Sequence, residues 1–443
     1  MPEFVRAIGL GRATAMVVGT IIGASIFVQP SLVSGAVPTV TGVLLVWAAA
    51  GALTLIGALV TAELSSAFPH TGGVYVFLKR AYSPAVAYLW GWAMFWVMHS
   101  GIIAAIATVC ARYLGHFVTL GDAGTKAAAV GAIVALSAVN YVGVRQGSAL
   151  QTFFTVIKVV AILLGVVLGV WFVATHGVPT AAPTGARRTT YGAFVEAMIA
   201  GLFAYGGWHM VTYAAEETKD PTRTIPRALL IGTIAVTLAY IAVNASYLAV
   251  LPLQKVTSSD RVAADFADAA LGAGGGHALS ALVVLSALGG MTGIILSGPR
   301  VYLAMAADGL LFRWAGAVHP RYRTPHVAIV LQGVWSSVLV VTGSYRALFT
   351  RVVYTEWIFF ALMAASLFFL RSRADYQPTY RVWGPWGFPL LPAIFVLASA
   401  AIVLHQIVVE PVASLTGIGL VAAGLPVYWI WTTRRGISGK PPA

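Results

Sequence analysis

Long apolar runs separated by short polar loops fill nearly the whole chain. Twelve runs are candidate membrane-crossing helices, at approximately 13–37, 42–66, 84–112, 127–144, 150–174, 191–215, 228–251, 278–306, 326–343, 352–370, 387–409 and 412–433. A crossing helix needs roughly 20 predominantly apolar residues. Two of the runs are interrupted by small residues. The first run carries Gly19-Thr20-Ile21-Ile22-Gly23-Ala24-Ser25-Ile26-Phe27 at its centre. The sixth carries Gly201-Leu202-Phe203-Ala204-Tyr205-Gly206-Gly207-Trp208-His209. Each glycine weakens a helix by about 1 kcal/mol against alanine. Backbone groups freed at membrane depth are tolerated only where they line a cavity or are buried in protein. The interruptions therefore admit two readings. One is a binding site built from freed backbone groups, with N–H groups at a half-helix N-terminus facing an anion. The other is close helix packing through small residues.

The interrupted runs open consecutive blocks of five, 13–174 and 191–370. Five is odd, so the second block enters the membrane from the opposite side, as an inverted repeat requires. The expected organisation is a first repeat at 1–175, a second at 190–371 and two further helices at 386–434, all one unit.

Composition turns this pattern into a class. Of 443 residues 59% are hydrophobic and 9% are charged, and the mean hydropathy is +0.86. Soluble proteins carry about 25% charged residues. An all-α polytopic membrane protein is expected. With the N-terminus inside, the 27 Lys and Arg divide 18 to 8 in favour of the inner side, with Lys158 left within a span. The outer eight are Arg112, Lys126, Arg187, Arg188, Lys255, Arg261, Arg346 and Arg351. This bias predicts both termini in the cytoplasm, and it explains the net charge of +13 without nucleic acid. The single cysteine, Cys110, excludes an intrachain disulfide. The N-terminus has no signal-peptide pattern. No metal-ligand spacing, phosphate loop or nucleophile motif is present, so no enzyme activity, cofactor or metal is expected.

Further motifs flank the interrupted runs: Pro69-His70-Thr71-Gly72-Gly73-Val74-Tyr75, Glu216-Glu217-Thr218-Lys219-Asp220-Pro221 and Ile225-Pro226-Arg227-Ala228. With Gly19–Phe27 and Gly201–Trp208, in this order and spacing, the chain resembles the amino acid–polyamine–organocation transporters, nearest their L-type amino acid transporter branch. The resemblance covers about 370 residues. It implies a leucine-transporter-like fold of twelve helices, a five-plus-five inverted repeat with helices 1 and 6 broken, and two helices appended. It implies alternating-access transport in the plasma membrane, here the inner membrane of a bacterium.

At positions matching the family, the N–H groups of Gly23, Ala24 and Ser25, beside Ile26, would face a substrate carboxylate. The carbonyls of Ile21 and around Phe203, Ala204 and Gly206 would face its ammonium. Phe203 would gate the site, with core packing as its other reading. His209 stands where L-type members often carry asparagine; it either touches substrate or is structural. The L-type branch usually reads Gly-Ser-Gly-Ile-Phe in helix 1. This chain reads Gly23-Ala24-Ser25-Ile26-Phe27, which predicts smaller substrates. A lysine well inside a span costs about 2.5–3.5 kcal/mol on insertion scales and marks an ion or proton path. In similar transporters such a lysine takes the place of a sodium ion, so Lys158 would bond carbonyls near Gly19. A hydroxyl from span 8, around Ser286 and Thr292, is expected beside it.

The implied function is sodium-independent exchange of small to medium neutral L-amino acids. Proton-coupled symport and transport of cationic amino acids or polyamines are the alternatives. No mid-membrane carboxylate is evident near spans 1 and 6, which favours neutral substrates; Glu356 is placed near the outer part of span 10, as a gate-related or an interfacial residue. Animal L-type light chains bind a heavy chain through a cysteine after span 3. Residues 113–125 have none, so no disulfide-linked partner is expected.

Overall fold

The computed structural model describes residues 6–177, 189–272, 274–382 and 386–434. Arg187, Arg188, Arg435, Lys440 and both termini, used above to orient the chain, lie outside the described residues. Among the described residues there is no β-strand; one isolated bridge joins Ile8 to Thr218. The helices run in the order α1 (Leu10–Ile21), α2 (Gln29–Ala36), α3 (Val40–Ala67), α4 (Val74–Ala81), α5 (Pro84–Ala93), α6 (His99–Leu114), α7 (Asp122–Val142), α8 (Val144–His176) and α9 (Tyr191–Ala204). They continue with α10 (Pro221–Val250), α11 (Leu253–Ser258), α12 (Val262–Leu271), α13 (Gly275–Ala307), α14 (His326–Thr342), α15 (Tyr345–Leu370), α16 (Leu391–Val409), α17 (Pro411–Ala422) and α18 (Gly424–Arg434).

Among the described residues nine helices are long and apolar enough to cross a membrane. The three remaining predicted spans differ in kind. Span 1 is divided into α1 and α2, joined by a short 3-10 turn at Ala24–Phe27. Span 6 is divided into α9 and a 3-10 segment, Trp208–Glu217. Span 9 is the 17-residue helix α14. Span 3 is continuous through a π-helical turn, Met94–Met98, which joins α5 to α6.

Span 7, predicted from 228, starts at Pro221, and span 10 is extended by as much. The sequence pattern starts it at 352, but α15 starts at Tyr345. Arg346 and Arg351 made these two turns read as loop. The short helix α4 was also not foreseen. It is docked by Tyr75, whose hydroxyl donates to Asp308 at 2.6 Å, and by Lys79, 2.7 Å from the same carboxylate.

The core forms where α10 packs along α3, α13 against α8 and α6, and α15 against α6 and α16. The outward face of α8 is apolar: Val156 is 59% exposed, and Leu163 and Val167 are also exposed. Lys158 lies on the inward face at 0% exposure. The buried carboxylate of Glu63, near the end of α3, fastens the segment that links α15 to α16. It accepts from Arg371 Nε at 2.8 Å and Nη2 at 2.5 Å, from the Val382 N–H at 2.7 Å and from the Tyr376 hydroxyl at 3.2 Å. Glu63→Ala leaves Arg371 without its counter-charge, so stability should fall by about 3–5 kcal/mol. A thermal unfolding midpoint equal to that of the wild type would contradict this.

Candidate functional site

The site begins with a loss of helical hydrogen bonds. In an unbroken helix each N–H bonds the carbonyl four residues back, so Gly23 and Ser25 would serve Gly19 and Ile21. Here Ile22 and Gly23 are extended, and those two carbonyls turn elsewhere. Lys158 Nζ donates to the Gly19 carbonyl at 2.9 Å. The Tyr240 hydroxyl, from α10, lies 3.0 Å from the Ile21 carbonyl and 3.1 Å from the Ala204 carbonyl. One hydroxyl thus shares its proton between the two broken segments. The approach of α8 is close: a Cβ at Gly19 would stand 2.5 Å from Thr155 Oγ1.

The second break is tighter. The Gly206 N–H bonds the Phe203 carbonyl at 3.1 Å. Gly207 then turns the chain with φ +95°, and its Cα faces span 1, where an added Cβ would lie 2.9 Å from the Thr20 carbonyl oxygen. The two breaks therefore cross at Thr20 and Gly207.

Between them lies a cavity of about 30 Å³. Ile21, Gly23, Ser25, Phe203 and Gly206 line it, together with Thr20, Gly207, Met210, Val352 and Glu356. Of the residues predicted from sequence, Ala24, Ile26 and Ala204 are buried in the breaks but do not line the cavity. Lys158 and Gly19 lie behind it. His209 also lies outside: its Nε2 is 3.0 Å from the Tyr213 hydroxyl, and its ring is held among Trp90, Trp208 and Phe360. Phe203 packs on Phe349, with ring centroids 5.4 Å apart. Phe349 in turn lines a second cavity of about 270 Å³, with Glu196, Arg346 and Glu410.

Two expectations change. Neither suggested span 8 hydroxyl reaches Lys158: Ser286 Oγ is buried without a partner, and Thr292 bonds back to Leu288 at 2.8 Å. Helix α13 meets the lysine with Gly289 and Gly290 instead, where added Cβ atoms would stand 3.2 Å from Cε and 3.7 Å from Nζ. The second change is larger. A mid-membrane carboxylate does lie near spans 1 and 6, because the early start of α15 moves Glu356 from the end of its helix toward the middle, onto the cavity wall. Tyr240 was missed altogether, although a tyrosine deep in an apolar span is a polar group in need of a partner.

The family model described as amino acid permease matches residues 8–431. The chain belongs to this family. Within it, the permease is 30% identical to the serine/threonine exchanger SteT of Bacillus subtilis (strain 168) over 437 residues, covering 97% of this chain and 98% of that protein. It is also 30% identical to the human b(0,+)-type amino acid transporter 1 over 414 residues, 92% of this chain and 83% of the relative. It is 29% identical to the human large neutral amino acids transporter small subunit 2 over 434 residues, 96% and 80%. The permease is therefore an L-type-like member of the amino acid–polyamine–organocation superfamily, a multi-pass membrane transporter of amino acids and not an enzyme.

The crossing of the breaks gives a direct test. Gly207→Ala forces a Cβ into the positive-φ region, at roughly 1–2 kcal/mol, and presses it on the Thr20 carbonyl. The permease variant should reach the membrane but lose most amino acid uptake, with a lowered thermal midpoint. Full uptake would show that the crossing is not part of the working site.

Proposed function

We propose that this permease exchanges small to medium neutral L-amino acids across the plasma membrane, independently of sodium, by alternating access through the cavity between its two breaks. The observation that carries the reading is that the cavity is walled by main chain from both interrupted segments, α1–α2 and α9 with its 3-10 continuation. The N–H groups of Gly23 and Ser25, which line the cavity at the start of a helical turn, would receive a carboxylate, with Ala24 between them in the chain. The carbonyls of Ile21 and Phe203 and the Gly206 turn offer acceptors for the ammonium. Their bonds to Tyr240 and Gly206 use one lone pair of each oxygen and leave a second.

The wider frame of this reading is a twelve-helix, five-plus-five inverted repeat, 1–175 against 190–371, with 386–434 appended. Phe203 serves as the gate: it lines the inner cavity and packs on Phe349 of the larger one. Ser25 narrows the site relative to glycine. The exchange mode and the small substrate follow the similarity to the Bacillus subtilis serine/threonine exchanger. Lys158 places a fixed ammonium on the Gly19 carbonyl, where a coupling cation would otherwise satisfy span 1. His209, caged by aromatic rings, acts through Tyr213 and not on the substrate.

Glu356 favours a second reading, proton-coupled symport or transport of cationic amino acids or polyamines, since it puts a carboxyl on the cavity wall. Purified protein in liposomes separates the two. Labelled alanine and serine should enter vesicles preloaded with the same amino acid in sodium-free buffer. Uptake into empty vesicles under an inward proton gradient would establish symport instead, and uptake only with sodium would remove the role given to Lys158.

Two substitutions refine the test. Lys158→Ala should lower flux about tenfold or more, equivalent to ~1.4 kcal/mol on the barrier, while substrate binding stays within a small factor. Flux at the wild-type level would remove its coupling role. Ser25→Gly should widen acceptance toward leucine-sized side chains; an unaltered substrate profile would refute the size argument.

A further inference from the structure

The cavity wall opposite the breaks is built from side chains. Ile102 and Ile106 of α6, Ile294 of α13 and Val352 of α15 make it apolar. Glu356 is the exception. It is 4% exposed, and its Oε1 is buried with no hydrogen-bond partner. No lysine, arginine or histidine stands among the lining residues. Its setting is not accidental to the helix. Tyr345, Phe349, Val352 and Glu356 follow at spacings of four, three and four, so they share one face of α15. That face runs from the aromatic contact with Phe203 to the floor of the cavity.

Main chain recognises what all amino acids have in common, the α-carboxylate and α-ammonium. The side chain must then meet this other wall. A purely hydrocarbon side chain would leave the Glu356 oxygen buried and unpaired, and an unpaired buried acceptor carries its full desolvation penalty. A side chain ending in a donor removes that penalty.

We propose that Glu356 is the specificity-determining residue of this site, accepting a hydrogen bond from a hydroxyl or amide at the end of the substrate's side chain. This inference rests on the transport reading above and deepens it from size to chemistry. Glu356 then selects among substrates that the backbone alone cannot tell apart. Discrimination of this kind is strong, because a site built to bond a polar group rejects the analogue that lacks it far better than an apolar pocket rejects an added methylene.

The test uses the full-length protein in liposomes and isosteric competitor pairs. Uptake of labelled alanine into alanine-loaded vesicles is measured against threonine or valine, and against asparagine or leucine. In the wild type the donor-bearing member of each pair should compete at about tenfold lower concentration or better. In Glu356→Leu the two members should come within about twofold of each other, since no buried acceptor remains to be left unpaired. Glu356→Gln keeps an accepting oxygen and should retain the preference. Equal competition in the wild type overturns the proposal, and so does a preference that survives Glu356→Leu. Alanine has no side-chain donor, so its exchange reports on the transport reading alone. Absence of alanine exchange in the wild type would defeat that reading, and this one with it. Should Glu356→Leu fail to fold, the wild-type ratios and the Glu356→Gln profile still decide: a glutamine variant that loses the preference while exchanging alanine overturns the role of an accepting oxygen.

Discussion

A main-chain carbonyl buried away from water must be bonded, and at the depth of a bilayer no solvent supplies the bond. The site of this permease depends on that constraint. Opening the helix at Ile22 and Gly23 releases the carbonyls of Gly19 and Ile21, and ending α9 at Ala204 releases another. Lys158 takes the first and Tyr240 takes the other two. These three bonds couple α8 and α10 to the broken segments. They convert what would be a defect in each helix into a fixed junction. The Lys158 side chain is itself expensive to bury, and its bond to the Gly19 carbonyl offsets part of that cost. Lysine and open helix each make the other tolerable.

Much of this was legible in the sequence, and the reason is that glycine placement is a direct statement about backbone. Gly19, Gly23, Gly206 and Gly207 marked both interruptions, and the lone lysine in an otherwise apolar span pointed inward. The all-helical, multi-span class followed from hydropathy. What stayed hidden depended on depth and on partners from distant segments. Arg346 and Arg351 concealed two turns of α15, so Glu356 was assigned to the end of a helix whose middle it occupies. Tyr240 looked like one more aromatic residue in span 7. His209 sits at a suggestive position in the motif, but its ring is turned into an aromatic cage with Trp90 and Phe360. No local pattern records which way that ring faces.

The surrounding helices hold the junction in place through a different kind of contact. Glu63 collects four donors beside the α15–α16 linker, and Asp308 joins α4 to the end of α13. These polar anchors sit toward the ends of the helices. The central wall of the site is largely apolar packing around Phe203, Phe349 and the isoleucines of α6 and α13. The arrangement puts orientation at the ends and shape in the middle.

The Tyr240 bridge has an evolutionary consequence. One oxygen serves the Ile21 and Ala204 carbonyls at once. Neither broken segment can draw away from the other without giving up a bond that no water replaces at this depth. A substitution that removed only this hydroxyl would therefore be inherited as a defect of both segments together.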